Sequence, residues 1–206
     1  MSEWQIIAAD GCSGVCAKMD MLELILSRRS VRHFLNKTIP DEILSQVLQA
    51  GASAPSGGNV QAWGFVVVRS DEGRKGLCAL APGVIGEPAV ILVLCVDERM
   101  ASYSSPLEDE SFRKSAQAKE DLKSAWISMG AALENLLLAA YSFGVGACPV
   151  GSFHRQGVAC FLDLPQGVQP ALLVAFGYPV SQPSASPRRP PAEIIYGERW
   201  GAPYGA

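Results

Sequence analysis

The sequence predicts a single domain that combines helices and strands around one core. A chain of 206 residues is long enough to bury one substantial core. Its hydrophobic fraction of 49% and its charged fraction of 18% are those of ordinary globular domains. Segments with the apolar spacing of helices also alternate with short β-branched runs. One mixed α/β domain is therefore expected.

The first helix is expected to begin after an N-terminal extension. Residues 1–19 lack sustained periodicity and are predicted to be a flexible extension outside the core. Asp20, followed three residues later by Glu23, has the spacing of a capping box. We expect the helix that begins here to run into a basic cluster and to end near residues 33–34.

A second helix is predicted from Pro40 to about Ser53. Proline suits the first helical position. Apolar residues then recur at helical spacing, at Ile43, Leu44, Val47 and Leu48. Residues 55–59, Pro-Ser-Gly-Gly-Asn, break the pattern.

The next elements are expected to be two buried strands with a short helix between them. Residues 64–69 and 89–96 are apolar runs of strand length, and residues 71–79 have helical character. Residues 103–118 are rich in serine and charge, which is typical of a lid or an exposed excursion.

The rest of the chain predicts a long helix, two further strands and an arm. Residues 119–143 are apolar almost all the way round, as expected for a helix buried in an interface. Strands are expected at 146–151 and 170–177, joined by a helix near 156–161. The tail is rich in proline and serine from residue 180 and regains apolar residues at 192–200, which suggests an arm that clasps a partner subunit.

Charge and cysteine content exclude several classes of function. The net charge of −3 gives no general attraction to nucleic acid or anionic lipid. No apolar run has the length of a membrane span, and the N-terminus lacks the charge order of a secretory signal, so a cytoplasmic protein is expected. Cys12 and Cys16 lack further ligands at metal-binding spacing, so no metal site is predicted.

Two segments carry candidate binding residues. Arg28, Arg29 and Arg32, with Ser30 among them, could hold a phosphate, but a solvated helix end is an equal alternative. In the loop at 55–59, two glycines allow close approach of a ligand between polar side chains. An ordinary helix-to-strand turn would have the same composition.

Taken together, these segments resemble the nitroreductase family of flavin mononucleotide (FMN) proteins. The resemblance begins with residues 28–34, 39–40 and 54–63 and the strand after them, which match in order and spacing. It continues through a central helix at 130–140, a flavin-side segment at 144–151, and a C-terminal end at 187–200. It covers the chain from about residue 20 to residue 200.

The resemblance implies a fold and an assembly. The fold would be an α+β three-layer sandwich with a central, mainly antiparallel sheet flanked by helices. Residues 20–206 would form a single FMN-binding domain with a dimer-clasping arm from about residue 180. Two such chains would form an intertwined homodimer with two FMN molecules at its interface.

The resemblance also implies the residues that bind FMN. Those assigned to the phosphate and ribityl chain are Arg28, Ser30 and Arg32, with Arg29 close by, and Arg188 and Arg189 from the tail. Those assigned to the isoalloxazine ring from the other subunit are Pro55, Ser56, Gly57 and Asn59, with Gln61 beside them. Those assigned to the other side of the ring, through backbone donors, are Pro149, Val150, Gly151 and Ser152.

The function that the resemblance implies is a ping-pong oxidoreductase. NAD(P)H would reduce FMN and leave, and a small electron-poor acceptor (a nitroaromatic, a quinone or a flavin) would then occupy the same face. No protein nucleophile is needed, and no G-x-G-x-x-G motif follows a strand. The alternatives are a dehalogenase, a dehydrogenase or a flavin-fragmenting enzyme on the same fold, or a non-catalytic FMN carrier or sensor.

Overall fold

A four-stranded antiparallel sheet organises the computed structural model, which describes residues 20–101 and 116–205. Its strands are β1 (Trp63–Val68), β2 (Val90–Asp97), β3 (Gly146–Val150) and β4 (Val168–Gly177). The described helices are α1 (Met21–Ser27), α2 (Asp41–Ala52), α3 (Asp71–Leu80), α4 (Ala116–Ser142) and α5 (Arg155–Phe161). Short 3₁₀ turns lie at Gly57–Asn59, Glu98–Met100 and Pro191–Glu193.

The sheet has the order β1-β2-β4-β3, so β1 and β3 are its two edges. Each neighbouring pair is antiparallel: Phe65 pairs with Leu94 between β1 and β2, and Val150 pairs with Leu173 between β3 and β4. The pairing of β2 with β4 shifts register between Leu94 and Cys95.

Helices cover both faces of the sheet. The even-numbered residues of β2, such as Leu92, pack in one cluster with α2 and α4. The odd-numbered residues, such as Val93, pack in a second cluster with α3 and α5. Successive side chains of a strand point to opposite faces, so β2 is apolar throughout because both faces are buried. The predicted α+β three-layer sandwich is confirmed.

The end of the first helix differs from the sequence prediction. The helix ends at Ser27 rather than near residues 33–34, and Asp20 makes no side-chain cap bond. The basic cluster that follows is extended because its backbone pairs with β3, which offers an unused edge. Pro40 likewise precedes its helix as the cap rather than occupying the first helical turn.

The chain after β4 returns to the surface. Residues 181–190 have no regular structure, and the apolar residues beyond them remain exposed, at 52% for Ile194 and 89% for Trp200. The ring centre of Tyr196 lies 4.7 Å from that of Trp200, so the arm has local order of its own.

Three sequence predictions lie wholly or largely outside the described residues. They are the extension at 1–19, the cysteine pair within it, and the excursion at 103–118, of which only the last three residues are described, as the start of α4. No helix in the described ranges is long and apolar enough to cross a membrane.

Candidate functional site

The basic cluster is fixed along the outer edge of β3. Ser30 forms a parallel bridge with Ala147, and the Val31 amide donates to the Ala147 carbonyl over 2.9 Å. A Cβ on Gly146 would lie 2.7 Å from the Cβ of Val31, so glycine is required for the two backbones to approach this closely. The pairing explains why the helix stops before the cluster.

The same segment continues along the end of β4. The Leu35 amide donates to the Tyr178 carbonyl over 2.8 Å, and the Val180 amide donates to the His33 carbonyl over 3.1 Å. A Cβ on Gly177 would lie 2.8 Å from Phe34. Residues 30–35 are therefore held at both ends against the sheet.

Arg28 presents a buried donor without a hydrogen-bond acceptor. Its side chain is 19% exposed, and its Nε is sealed from solvent and makes no hydrogen bond. The nearest counter-charge is Glu134 of α4, whose Oε1 lies 3.5 Å from Nε in an ion pair without hydrogen-bond geometry. A buried donor of this kind is costly unless an acceptor reaches it.

The other members of the cluster are less constrained. Arg29 Nη1 donates to the carbonyls of Leu26 and Arg28, at 2.7 and 2.8 Å. Arg32 is exposed. Burial raises the pKa of the Cys148 thiol, and the Arg32 charge opposes that rise. The cluster thus directs positive charge toward the β3 edge.

The end of β3 leads into an exposed turn. Pro149 and Val150 are still paired with β4, whereas Gly151 and Ser152 lie past the last pair and are exposed. A Cβ on Gly83 would lie 2.7 Å from Val150 Cγ1, so the loop after α3 packs directly against this strand end. The turn and the basic cluster therefore lie along the same edge of the sheet.

The loop at 55–59 is held in shape by its own polar groups. Ser56 Oγ accepts from the Gln61 amide over 3.0 Å, and Gln61 Nε2 donates to Asn59 Oδ1 over 3.1 Å. Gly58, Asn59 and Gln61 have positive φ angles of 53°, 58° and 52°. Left-handed backbone at two non-glycine residues is costly and is common at binding sites. Pro55 and Gly57 complete the loop.

This loop lies away from the basic cluster in a single chain. It precedes β1, whereas the basic cluster borders β3, and β1 and β3 are opposite edges of the sheet. It instead borders a small cavity lined partly by Asp121 and Ser128 of α4.

The arginines of the tail make local contacts. Arg188 is exposed, and Arg189 donates to the Glu193 carbonyl over 2.9 Å and pairs with its carboxylate at 3.3 Å. The structure brings the predicted residues of the basic cluster and of the β3 turn to one edge of the sheet, and the 55–59 loop lies at the opposite edge.

Sequence reasoning missed two features of the site. Glu134 faces Arg28 from a helix more than one hundred residues later, and no local pattern marks such a pairing. Gly146 and Gly177 admit the basic segment to the sheet edge, and glycines inside two predicted strands could have indicated a close backbone approach.

The residues of the β3 edge fit a phosphate-bearing flavin such as FMN. Arg28 offers a buried guanidinium donor in need of an acceptor, and Arg29, Ser30 and Arg32 add charge and a hydroxyl beside it. Metal binding has no comparable support, since the described residues contain no cluster of three or more candidate ligands.

A sequence profile described as "Nitroreductase family" matches residues 25–178. The chain belongs to the nitroreductase family. The matched range contains the whole sheet, the basic cluster, the 55–59 loop and the β3 turn, while the C-terminal arm lies beyond it.

Curated relatives in this family carry oxidoreductase names. An NADH dehydrogenase of Thermus thermophilus is 29% identical over 86% of this chain and 95% of its own length. An FMN reductase [NAD(P)H] of Bacillus subtilis is 28% identical over 88% of this chain and 74% of its own length. An NADPH-flavin oxidoreductase of Vibrio harveyi is 27% identical over 85% and 72%.

Solved structures show the same fold. NfrA2 of B. megaterium aligns with a TM-score of 0.76 at 27% identity, over 87% of this chain and 74% of its own. Nitroreductase A of Vibrio parahaemolyticus aligns with a TM-score of 0.74 at 29% identity, over 87% and 75%.

Proposed function

We propose that this protein is an FMN-dependent NAD(P)H oxidoreductase that passes electrons to a small electron-poor acceptor. The observation that carries the proposal is the buried Arg28 Nε, which lacks a hydrogen-bond acceptor within a basic segment fixed to the β3 edge. The Arg28 side chain is 19% exposed, so a bound phosphate would place negative charge beside the guanidinium that now faces Glu134. The names of the Bacillus subtilis and Vibrio harveyi relatives support a nicotinamide donor and a flavin.

In this proposal the chain binds and orients, and the cofactor supplies the redox chemistry. FMN, when bound, accepts a hydride from a reduced nicotinamide and gives electrons to an acceptor. Arg28, Ser30 and Arg32 hold its phosphate and ribityl chain. Gly151 and Ser152 present backbone donors toward the ring, from a turn that follows the edge strand. No side chain is assigned a nucleophilic or acid–base role.

We also propose that the site is completed by a second copy of the chain. The 55–59 loop and the basic cluster lie at opposite edges of one sheet, so one chain does not bring them to the same ligand. Ile127 is 76% exposed in the middle of α4, and Trp200 is 89% exposed in the arm. In this proposal a partner subunit covers both side chains.

The reaction is proposed to be ping-pong, with donor and acceptor using the same face of the flavin in turn. Nitroaromatics, quinones and free flavins are the proposed acceptors, and the cytoplasm is the proposed compartment. The second candidate function is an FMN carrier or sensor, which would use the same phosphate clamp without turnover.

The first test is the composition of the purified complex. Light scattering after gel filtration gives the mass, and the visible spectrum gives the flavin content. The proposal expects a dimer with one FMN for each chain. A protein that takes up no added FMN would contradict the cofactor assignment, and a monomer that binds FMN normally would contradict the two-chain site.

A further inference from the structure

Arg155, the first residue of α5, joins three parts of the fold through one guanidinium group. Its Nη1 donates to the Pro170 carbonyl over 2.7 Å and to the Ala171 carbonyl over 3.2 Å. The guanidinium carbon lies 5.0 Å from the ring centre of Phe153 and 5.8 Å from that of Trp126. The side chain thus connects β4, α4 and the turn that follows β3.

The Pro170 and Ala171 carbonyls belong to the part of β4 that has no pairing with β3. The pairing of β3 with β4 ends at Val150 and Leu173, whereas β4 already begins at Val168. Pro170 and Ala171 are buried and lie beyond that last pair. The register shift of the β2–β4 pairing falls at the same residues, which allows two neighbouring carbonyls to face one donor. Arg155 therefore supplies the hydrogen bonds that β3 is too short to give.

The turn between Val150 and Arg155 is tied down at its far end. The His154 amide donates to the Leu80 carbonyl over 2.8 Å, and His154 Nδ1 accepts from the Gly157 amide over 2.8 Å. The ring of Phe153 lies against the guanidinium of Arg155. Gly151 and Ser152 lie between these anchors and the strand end, and both are exposed.

We infer that Arg155 is a positioning residue that sets where the Gly151–Ser152 backbone meets the flavin ring. This role rests on the proposed function, because it concerns the donors that the turn offers to bound FMN. The backbone of an exposed glycine and its neighbour is placed by the segments on either side of it. Those segments are β3, held by the sheet, and residues 153–155, held by the Arg155 contacts to β4 and to Trp126.

The position of these donors matters because hydrogen bonds near the reactive nitrogen tune the electronics of a flavin. The oxidised nitrogen accepts a hydrogen bond, whereas the reduced nitrogen carries the hydrogen that it has received, so donors at this place stabilise the two redox states unequally. Loss of the Arg155 contacts is therefore expected to shift the midpoint potential of the bound flavin. It should also weaken FMN binding, but less than loss of a phosphate ligand would.

The test compares Arg155→Met with Arg155→Lys in the FMN-loaded protein. Methionine keeps the unbranched apolar stem and removes the donors and the charge, whereas lysine keeps the charge and one donor group. We expect Arg155→Met to shift the midpoint potential away from the wild-type value and to raise the FMN dissociation constant roughly threefold to tenfold, the range of one ordinary hydrogen bond. Arg155→Lys should restore part of both changes.

The matched control is Arg69→Met. Arg69 also joins two elements, through an ion pair to Asp41 and a 3.0 Å bond to the Ile39 carbonyl, but it lies at the end of β1 far from the turn. The control should leave the potential unchanged even if stability falls.

Two outcomes would overturn the inference. One is an Arg155→Met protein that folds and has the wild-type potential; if that variant does not fold, an unchanged potential in Arg155→Gln, which lacks the charge and is too short to reach both carbonyls, has the same force. The other is an equal shift in Arg69→Met. Failure of the proposed function is distinguishable, because the wild-type protein itself would then take up no FMN or would resist reduction by NADH and NADPH.

Discussion

Arg28 Nε lies 3.5 Å from Glu134 Oε1, sealed from solvent and without a hydrogen bond. The contact joins the end of α1 to the middle of α4, next to the 3.3 Å bond that Tyr141 Oη donates to the Ser27 carbonyl. The guanidinium is therefore held at the β3 edge before any ligand binds. A phosphate at this edge would meet the charge of a guanidinium that is already in place, with little side-chain entropy left to lose.

Replacement of this arginine tests the phosphate clamp. Arg28→Ala is expected to weaken FMN binding by about 1.5 to 3 kcal/mol, roughly tenfold to 150-fold, because a charged hydrogen bond is lost. Fluorescence titration of the flavin-free apoprotein with FMN measures the change. Lys75→Ala, on the exposed surface of α3, is the control and should bind normally. Unchanged affinity in a folded Arg28→Ala protein would show that Arg28 serves its ion pair with Glu134 and not the phosphate.

A second prediction concerns the approach of the basic segment to β3. In Gly146→Ala the new methyl group would lie 2.7 Å from the Cβ and Cγ2 of Val31, so the segment must move. We expect a loss of about 1 to 3 kcal/mol in the free energy of unfolding, as for other overpacked sites, together with weaker FMN binding. Chemical denaturation and FMN titration measure the two effects.

Gly64→Ala is the matched control for that substitution, because no atom lies within 4 Å of the Cβ it would add. Its free energy of unfolding should stay within about 0.5 kcal/mol of the wild type. A Gly146→Ala protein as stable as the control, with normal FMN affinity, would show that the close pairing at Ala147 does not shape the site.

Part of this arrangement follows from the sequence, and part does not. The structure contains the strands β2 and β4 and the helix α2 that the sequence predicts. Burial selects apolar residues, and the helical period sets their spacing, so both are visible in the local sequence. The predicted end of α1 was wrong. The Ser30–Ala147 bridge joins residues more than one hundred positions apart and overrides the local helical pattern. The bonds from Arg155 to Pro170 and Ala171 were also not predicted, because they depend on a register shift in the sheet that no local pattern marks.

The described cysteines should differ sharply in reactivity. Burial raises the pKa of Cys95 to about 11 and raises the pKa of Cys148 as well, whereas Cys160 is exposed. At pH 8 only on the order of one in a thousand Cys95 side chains would be thiolate, the form that reacts. In a Cys12→Ser, Cys16→Ser background, mass spectrometry after brief iodoacetamide treatment should find Cys160 labelled first. Equal labelling of Cys95 in the native protein would contradict the buried position of β2.

The exposed face of α4 tests the two-chain site. Ile127→Asp should cost the isolated chain little, because the side chain is 76% exposed, but it should place a charge inside the proposed interface. We expect the dimer dissociation constant to rise by about 30-fold or more, the effect of a hot-spot residue. Analytical ultracentrifugation measures it, with Ala79→Asp as the control that adds the same single negative charge to the exposed surface of α3. A dimer as stable in Ile127→Asp as in the control would remove α4 from the interface.

The central claim is that bound FMN in this protein cycles electrons from a nicotinamide. The most direct measurement is the visible spectrum of the purified, FMN-loaded protein, followed without oxygen as NADH or NADPH is added and then an electron acceptor. The account predicts a yellow protein that bleaches rapidly with at least one of the two donors and regains its colour when a quinone or a nitroaromatic is added. A yellow protein whose colour neither donor changes would contradict the oxidoreductase assignment and favour a carrier.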